Sequence, residues 1–231
     1  MDSVQVGAIV AASFVPGLFW LFYFLKSRRC TNVSHGVLLF LGGIVCGPIA
    51  LLVFNAVELS PFYAQLGDVD GVDEATKFTY ALFVVGPVEE LVKFGSVIVI
   101  TRLLKLRVTS MNTALAWSTA AAIGFATIEN WYYMVEVEEV VWHRALTLPF
   151  NHVLFSSFWG VGLYRDATEE GKQWIALTLV LSMVYHGVYD YILFSDAIHP
   201  AFVLPVVLVL YFWLVSVFRA EHARDSKRPS L

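Results

Sequence analysis

Apolar residues in this chain run in long blocks separated by short polar stretches. Seven blocks are long enough to cross the hydrocarbon core of a bilayer as helices. They cover roughly residues 4–25, 36–57, 77–100, 109–135, 143–164, 174–194 and 201–218. The first block lacks a basic leading region and is followed by Lys26, Arg28 and Arg29, a stop-transfer flank rather than a cleavable signal. The last is the weakest, because it is short and contains Pro205. No internal repeat, low-complexity tract or linker divides the chain. The pattern predicts an all-α polytopic membrane bundle of about seven transmembrane helices, one integral membrane domain over residues 1–231 with its polar core at about 77–194.

Composition supports the same class. Of the 231 residues 58% are hydrophobic and 15% charged, with a mean hydropathy of +0.69. A soluble domain carries about 25% charged residues, and one of this size could not hide so much apolar surface. Disorder is excluded for the same reason, and a net charge of −4 excludes a basic nucleic-acid binder. Seven Trp, ten Tyr and eighteen Phe suit two membrane–water interfaces. Cys30 and Cys46 make neither a disulfide framework nor a cysteine metal site. Twelve Lys and Arg fall on one side of the spans and two, Lys77 and Arg144, on the other. The positive-inside rule then puts the N-terminus outside and the C-terminus in the cytoplasm. The outer loops are acidic, with Glu58, Asp68, Asp70, Asp73 and Glu74 in one and Glu136, Glu138 and Glu139 in another. These, and Glu169 with Glu170, read as solvated faces.

Ionisable residues within the spans change the picture. An ionised side chain at a helix centre costs about 2.5–3.5 kcal/mol on insertion scales. This chain places Glu89, Glu90 and Lys93 near the middle of its third span, Glu129 with Asn130 in the outer part of the fourth, His152 in the fifth, and His186 with Asp190 in the outer half of the sixth. Glu129 lies about 10 Å outward of its midplane at 1.5 Å per residue. Lys93 is three and four residues after the two glutamates and shares a helix face with them. The two adjacent carboxylates point about 100° apart, so they are unsuited to one shared job. Asp190 is four residues after His186, where it can hold the imidazole in one tautomer or join it as a ligand. Gly86–Pro87 loosens the third span one turn before the glutamates, and Pro149 the fifth before His152. Singly, Glu89–Lys93 could be a structural ion pair and His152 interhelical glue. Three carboxylates and two histidines on four successive spans are hard to explain that way.

Two chemistries use this set for hydrolysis. In one, Glu89 or Glu90 is the general base towards water, while His152, His186 and Asn130 stabilise an oxyanion. In the other, Glu129, His152, His186 and one glutamate of the pair (Glu90, for instance) bind Zn²⁺ and the other glutamate is the base. No H-E-x-x-H motif is present. Ser156 and Ser157 offer only a weak serine alternative.

The ordered set E-E-x-x-K (Glu89, Glu90, Lys93), F-A-x-x-E-N (Phe125, Ala126, Glu129, Asn130), H-x-x-F-S (His152, Phe155, Ser156) and H-G-x-x-D (His186, Gly187, Asp190) resembles the PrsW family of intramembrane proteases, relatives of the CAAX prenyl and bacteriocin-processing membrane proteases. The likeness covers about residues 86–190. It implies an endopeptidase with Glu89, Glu90, Glu129, His152 and His186 in the site, Lys93 and Asn130 beside them, and Asp190 supporting His186. It also implies a membrane-anchored protein substrate cut near the outer boundary, an anti-sigma factor in some members, and a multi-pass location in a prokaryotic plasma membrane. Whether a divalent metal, zinc first, takes part is left open by the resemblance. A proton- or cation-coupled carrier is the alternative reading of the same buried charges, although no inverted repeat supports it.

Overall fold

A computed structural model describes residues 1–28, 32–60, 73–168 and 173–225. Arg29, Cys30, Asp68, Asp70, Glu169, Glu170, Lys172, Lys227 and Arg228 lie outside the described residues. The described residues contain no strand and are mostly helical. Helix α1 spans Ser3–Arg28, α2 Val33–Glu58, α3 Glu74–Tyr80, α4 Gly86–Leu103, α5 Met111–Glu136, α6 Trp142–Thr168, α7 Trp174–Phe194 and α8 Val203–Asp225. A π-helical turn, Ala81–Val85, joins α3 to α4 without a break, and a 3₁₀ turn, Pro200–Phe202, leads into α8.

Polar residues at the helix ends explain where the blocks begin. Asn32 accepts from Ser34 N, Asp73 from Thr76 N and Ser110 from Thr113 N, each satisfying a donor that the first turn leaves free. Asp166 does this for α7 from outside it, accepting from Trp174 N at 2.7 Å and Ile175 N at 3.2 Å. The π turn sits where sequence predicts a disturbance. Pro87 has no N–H, and its ring crowds the carbonyl four residues earlier. Widening the turn over Ala81–Val85 lets the helix run on through Gly86–Pro87 into the glutamate pair.

Helix α5 is the central post, packed against α1, α2, α4 and α6. Its residues 114–127 are buried without interruption, as are residues 151–164 of α6. Two crossings are backbone on backbone. A Cβ at Gly43 or Gly124 would strike the carbonyl of Ala121 or Phe40, which holds α2 directly against α5. A Cβ at Gly187 would meet Ala81 O at 2.6 Å and Leu82 Cα at 2.7 Å, which fixes α7 against the π turn. Gly42 and Gly47 likewise abut Ile100 and Ile128. At the start of α3, Glu74 accepts from Ser195 Oγ (2.6 Å), Tyr191 OH (3.1 Å) and Asp196 N (3.0 Å), while Lys77 pairs with Asp196. This latch ties α3 to the end of α7.

Four helices are long and apolar enough to cross a membrane by length and composition: α1, α2, α7 and α8 with the 3₁₀ turn before it. The remaining long helices, α4, α5 and α6, carry most of the buried ionisable residues, and α5 and α6 are buried over long stretches among other helices. Large apolar side chains on the outside, such as Phe19, Leu52, Phe83, Val99 and Phe212, give the bundle a lipid-facing surface. The molecule is an all-α polytopic membrane bundle.

Candidate active site

Helices α4, α5, α6 and α7 bring the intramembrane polar residues into one cluster. Helix α4 carries Glu89, Glu90 and Lys93, all buried. Lys93 Nζ lies 2.7 Å from Glu90 Oε1, 3.5 Å from Glu89 Oε2 and 2.8 Å from His152 Nδ1 on α6. The Lys93 aliphatic arm does not reach this point unaided: its ammonium also sits 4.4 Å above the Phe125 ring of α5. The other ring nitrogen of His152, Nε2, is 2.9 Å from Glu129 Oε2 on α5. From α7, His186 places Nδ1 2.9 Å from Glu90 Oε1, and Nε2 3.5 Å from both Glu89 Oε2 and Asp190 Oδ2. The two imidazoles stand at right angles with centroids 5.0 Å apart, and Phe155 stacks on His186 at 4.6 Å.

The two adjacent glutamates have opposite surroundings. Glu90 accepts from five groups: Lys93 and His186 at Oε1, and Ser156 Oγ (2.9 Å), Trp159 Nε1 (2.9 Å) and Ser182 Oγ (2.8 Å) at Oε2. A carboxylate offers about four lone-pair sites, so Glu90 has nothing left for a metal or a water. Of the ligands expected from sequence, it is the one whose oxygens are fully engaged by protein donors. Glu89 Oε2, by contrast, is buried without a hydrogen bond. Asp190 Oδ2 shares that condition, whereas Glu129 Oε2 has His152 Nε2 beside it at 2.9 Å.

The contacts at each ring constrain its protons. A carboxylate can only accept, so His186 Nδ1 carries a proton towards Glu90, while Nε2 lies 3.5 Å from two further carboxylate oxygens, Glu89 Oε2 and Asp190 Oδ2. An ammonium can only donate, so His152 Nδ1 accepts from Lys93 and its proton resides on Nε2, beside Glu129. Asp190, expected to hold the His186 imidazole in one tautomer or to join it as a ligand, lies with Oδ2 3.5 Å from Nε2, and Glu90, from another helix, meets Nδ1 at 2.9 Å.

Sequence reading missed several contributors. Arg144 counted only as an outer basic residue, yet it enters the cluster, its Nη2 2.6 Å from Glu129 Oε1 and its guanidinium 4.3 Å over the Tyr133 ring. Trp159 and Ser182 complete the Glu90 shell. Their spacing was legible, since Ser156 and Trp159 lie four and seven residues after His152 and Ser182 four before His186. Ser156 Oγ donates to Glu90 Oε2 and Ser157 Oγ to the Leu154 carbonyl. Asn130 is fully buried with neither amide atom hydrogen-bonded. Asn151 Nδ2 donates to Tyr189 OH at 2.7 Å.

Four carboxylates (Glu89, Glu90, Glu129 and Asp190) face two permanent cations, Lys93 and Arg144, within this cluster. With neutral imidazoles, two negative charges are left in excess in a low-dielectric interior. Two buried carboxylate oxygens without donors, Glu89 Oε2 and Asp190 Oδ2, beside His186 Nε2 form a set that fits a divalent cation. Glu89, His152 and His186 each offer a ligand atom within 4.8 Å of the others.

The chain matches known proteins over most of its length. Residues 18–218 match the sequence profile of the PrsW family intramembrane metalloproteases. The chain is similar to a protein named Protease PrsW from Clostridioides difficile (strain 630), 28% identical over 217 residues, covering 89% of this chain and 85% of that one. It is 26% identical over 229 residues to Protease PrsW of Bacillus subtilis (strain 168), covering 94% and 96% of the two chains. No solved structure matches it.

Proposed function

Since the chain belongs to the PrsW family of intramembrane metalloproteases, we propose that its buried cluster hydrolyses a peptide bond of a membrane-anchored protein near the outer membrane boundary. One observation carries the reading: Glu89 is a buried carboxylate whose Oε2 accepts no hydrogen bond and lies 3.5 Å from His186 Nε2. A carboxylate oxygen left free of donors can accept a proton from water.

Glu89 Oε2 takes a proton from the attacking water as the new C–O bond forms. It returns that proton to the nitrogen of the leaving amine as the C–N bond breaks. The carbonyl oxygen gains charge in between, and His152 Nε2–H donates to it, its tautomer held by Lys93. Glu90 touches no reacting atom; it fixes His186 and Lys93. A divalent metal ion, zinc being the usual choice of an imidazole–carboxylate set, would be held at His186 within the group of Glu89, His152 and His186, whose ligand atoms lie within 4.8 Å of one another. Such an ion would supply a water polarised towards hydroxide and positive charge for the carbonyl.

The seven apolar blocks all fall within helices, which supports seven crossings with the N-terminus outside. The excess of Lys and Arg on the opposite side supports the same orientation. A single-pass regulator such as an anti-sigma factor fits a site of this depth. No observation favours the carrier alternative.

The test is cleavage of a single-pass reporter, an apolar span of about 20 residues with tagged ends, in proteoliposomes. Wild type should cut it on the outer side, Glu89→Gln should not, and both should reach the membrane in equal amount. Metal content should be about one zinc per chain in wild type and in Glu89→Gln, and should vanish in His186→Ala. Undiminished cleavage by Glu89→Gln would sink the mechanism.

A further inference from the structure

Access to the cluster is graded. Side-chain exposure is 2% at His152 and His186, 8% at Glu89, 14% at Asp190, 20% at Arg144 and 27% at Glu129. Glu129 and Arg144 therefore form the open edge, where a polypeptide meets the cluster first. Arg144 is the third residue of α6, and Tyr133 of α5 lies under its guanidinium. One arm of the fork, Nη2, is committed to Glu129 Oε1. Its Nε is buried and has no partner in the protein.

A membrane segment must leave its helix before a peptide bond can be attacked. Unwinding strips carbonyl oxygens of their intrahelical partners where no water replaces them. A substrate strand at this edge thus brings unpaired acceptors, and a guanidinium has five N–H donors in a fixed plane. Arg144 has the complementary lack: a desolvated donor without an acceptor. Resting on the proteolytic reading above, we propose that Arg144 binds a backbone carbonyl of the unwound substrate through Nε–H while its Nη2 anchors Glu129. It is then a substrate-binding residue beside the reacting bond rather than a structural counter-ion.

Lysine separates these roles, because it keeps the charge opposite Glu129 but loses the planar fork. In the proteoliposome assay, Arg144→Lys and Arg144→Gln should each raise KM about tenfold, as loss of a charge-assisted hydrogen bond implies, with kcat within about threefold of wild type and zinc content unchanged. Binding is read separately in the Glu89→Gln background by anisotropy of the fluorescently labelled reporter. There, adding Arg144→Lys should weaken Kd by a similar factor. Wild-type KM and Kd in Arg144→Lys would overturn the proposal in favour of a simple ion pair. A fall in kcat with Kd unchanged, or loss of zinc, would overturn it in favour of an effect through Glu129. Should Arg144→Gln not survive solubilisation, Arg144→Lys reads the same constants. Absence of any wild-type cleavage would tell against the proteolytic reading alone, since the anisotropy series still reports on Arg144.

Discussion

Adjacent residues of identical type can do opposite work when a helix turns them apart. Glu90 is surrounded by five donors from α4, α6 and α7, whereas Glu89 keeps a buried oxygen without one. Replacing Glu90 with Gln puts an amide N–H₂ among groups that only donate and leaves Lys93 short of its nearest counter-ion. Breaking a buried charge pair in this way costs about 3–5 kcal/mol. The same change at Glu89 removes a buried charge whose Oε2 accepts no hydrogen bond and leaves Lys93 its closer partner Glu90, so it should leave stability level or raise it, the usual trade at a functional site. Thermal unfolding in detergent should therefore show a lower midpoint for Glu90→Gln and an equal or higher one for Glu89→Gln. The reverse order would refute the division of labour. The motif E-E-x-x-K located this pair in the sequence, and the 100° between the residues implied different roles. Which residue had which role was illegible, because the deciding donors Ser182 and His186 lie more than 90 residues away along the chain. Spacing shows neighbours on one helix only, which is also why Asp190 rather than Glu90 looked like the partner of His186.

At the scale of elements, all seven apolar blocks were legible because each is a run that only a membrane or a bundle core accepts. The latch at the start of α3 was not, since it joins Glu74 and Lys77 to Ser195 and Asp196 across the length of the chain. Glu74, read from sequence as a solvated loop residue, begins α3 and accepts three hydrogen bonds. The Ser195 hydroxyl, followed by the Asp196 amide, Tyr191 and Lys77, holds its carboxyl below the ordinary value of 4.5. Asp73 is likewise lowered by the Thr76 amide at the head of the same helix. Groups whose proton affinity falls on folding stabilise the structure above their unfolded value and lose that effect as pH drops through the folded one. The latch should be intact at neutral pH and should open as pH falls below about 4.5. Hydrogen exchange of residues 74–80, corrected for the intrinsic rate, should accelerate over that range in wild type. In Glu74→Gln it should be fast throughout, and a pH-independent rate in wild type would count against the latch.

Across the whole molecule, cohesion is uneven. Helices α4 to α7 enclose the polar cluster around the post α5, and the glycine crossings bring backbones together where no side chain could intervene. Helix α8 stands apart. Only about 6% of its most apolar stretch is buried, and it is held chiefly by Trp213 stacking on Phe158 at 4.0 Å, with Leu210 beside it. Ending the chain after His199 should therefore lower the unfolding midpoint but leave zinc content near one per chain. Loss of the metal together with α8 would show that the cluster depends on it. The arrangement also bears on how such sequences diversify. A helix that contributes neither ligands nor backbone crossings is under little chemical constraint, so among relatives the region after residue 203 should accumulate substitutions fastest, preserving only its greasiness and an aromatic facing Phe158, while the residues around the two glycine crossings change slowest.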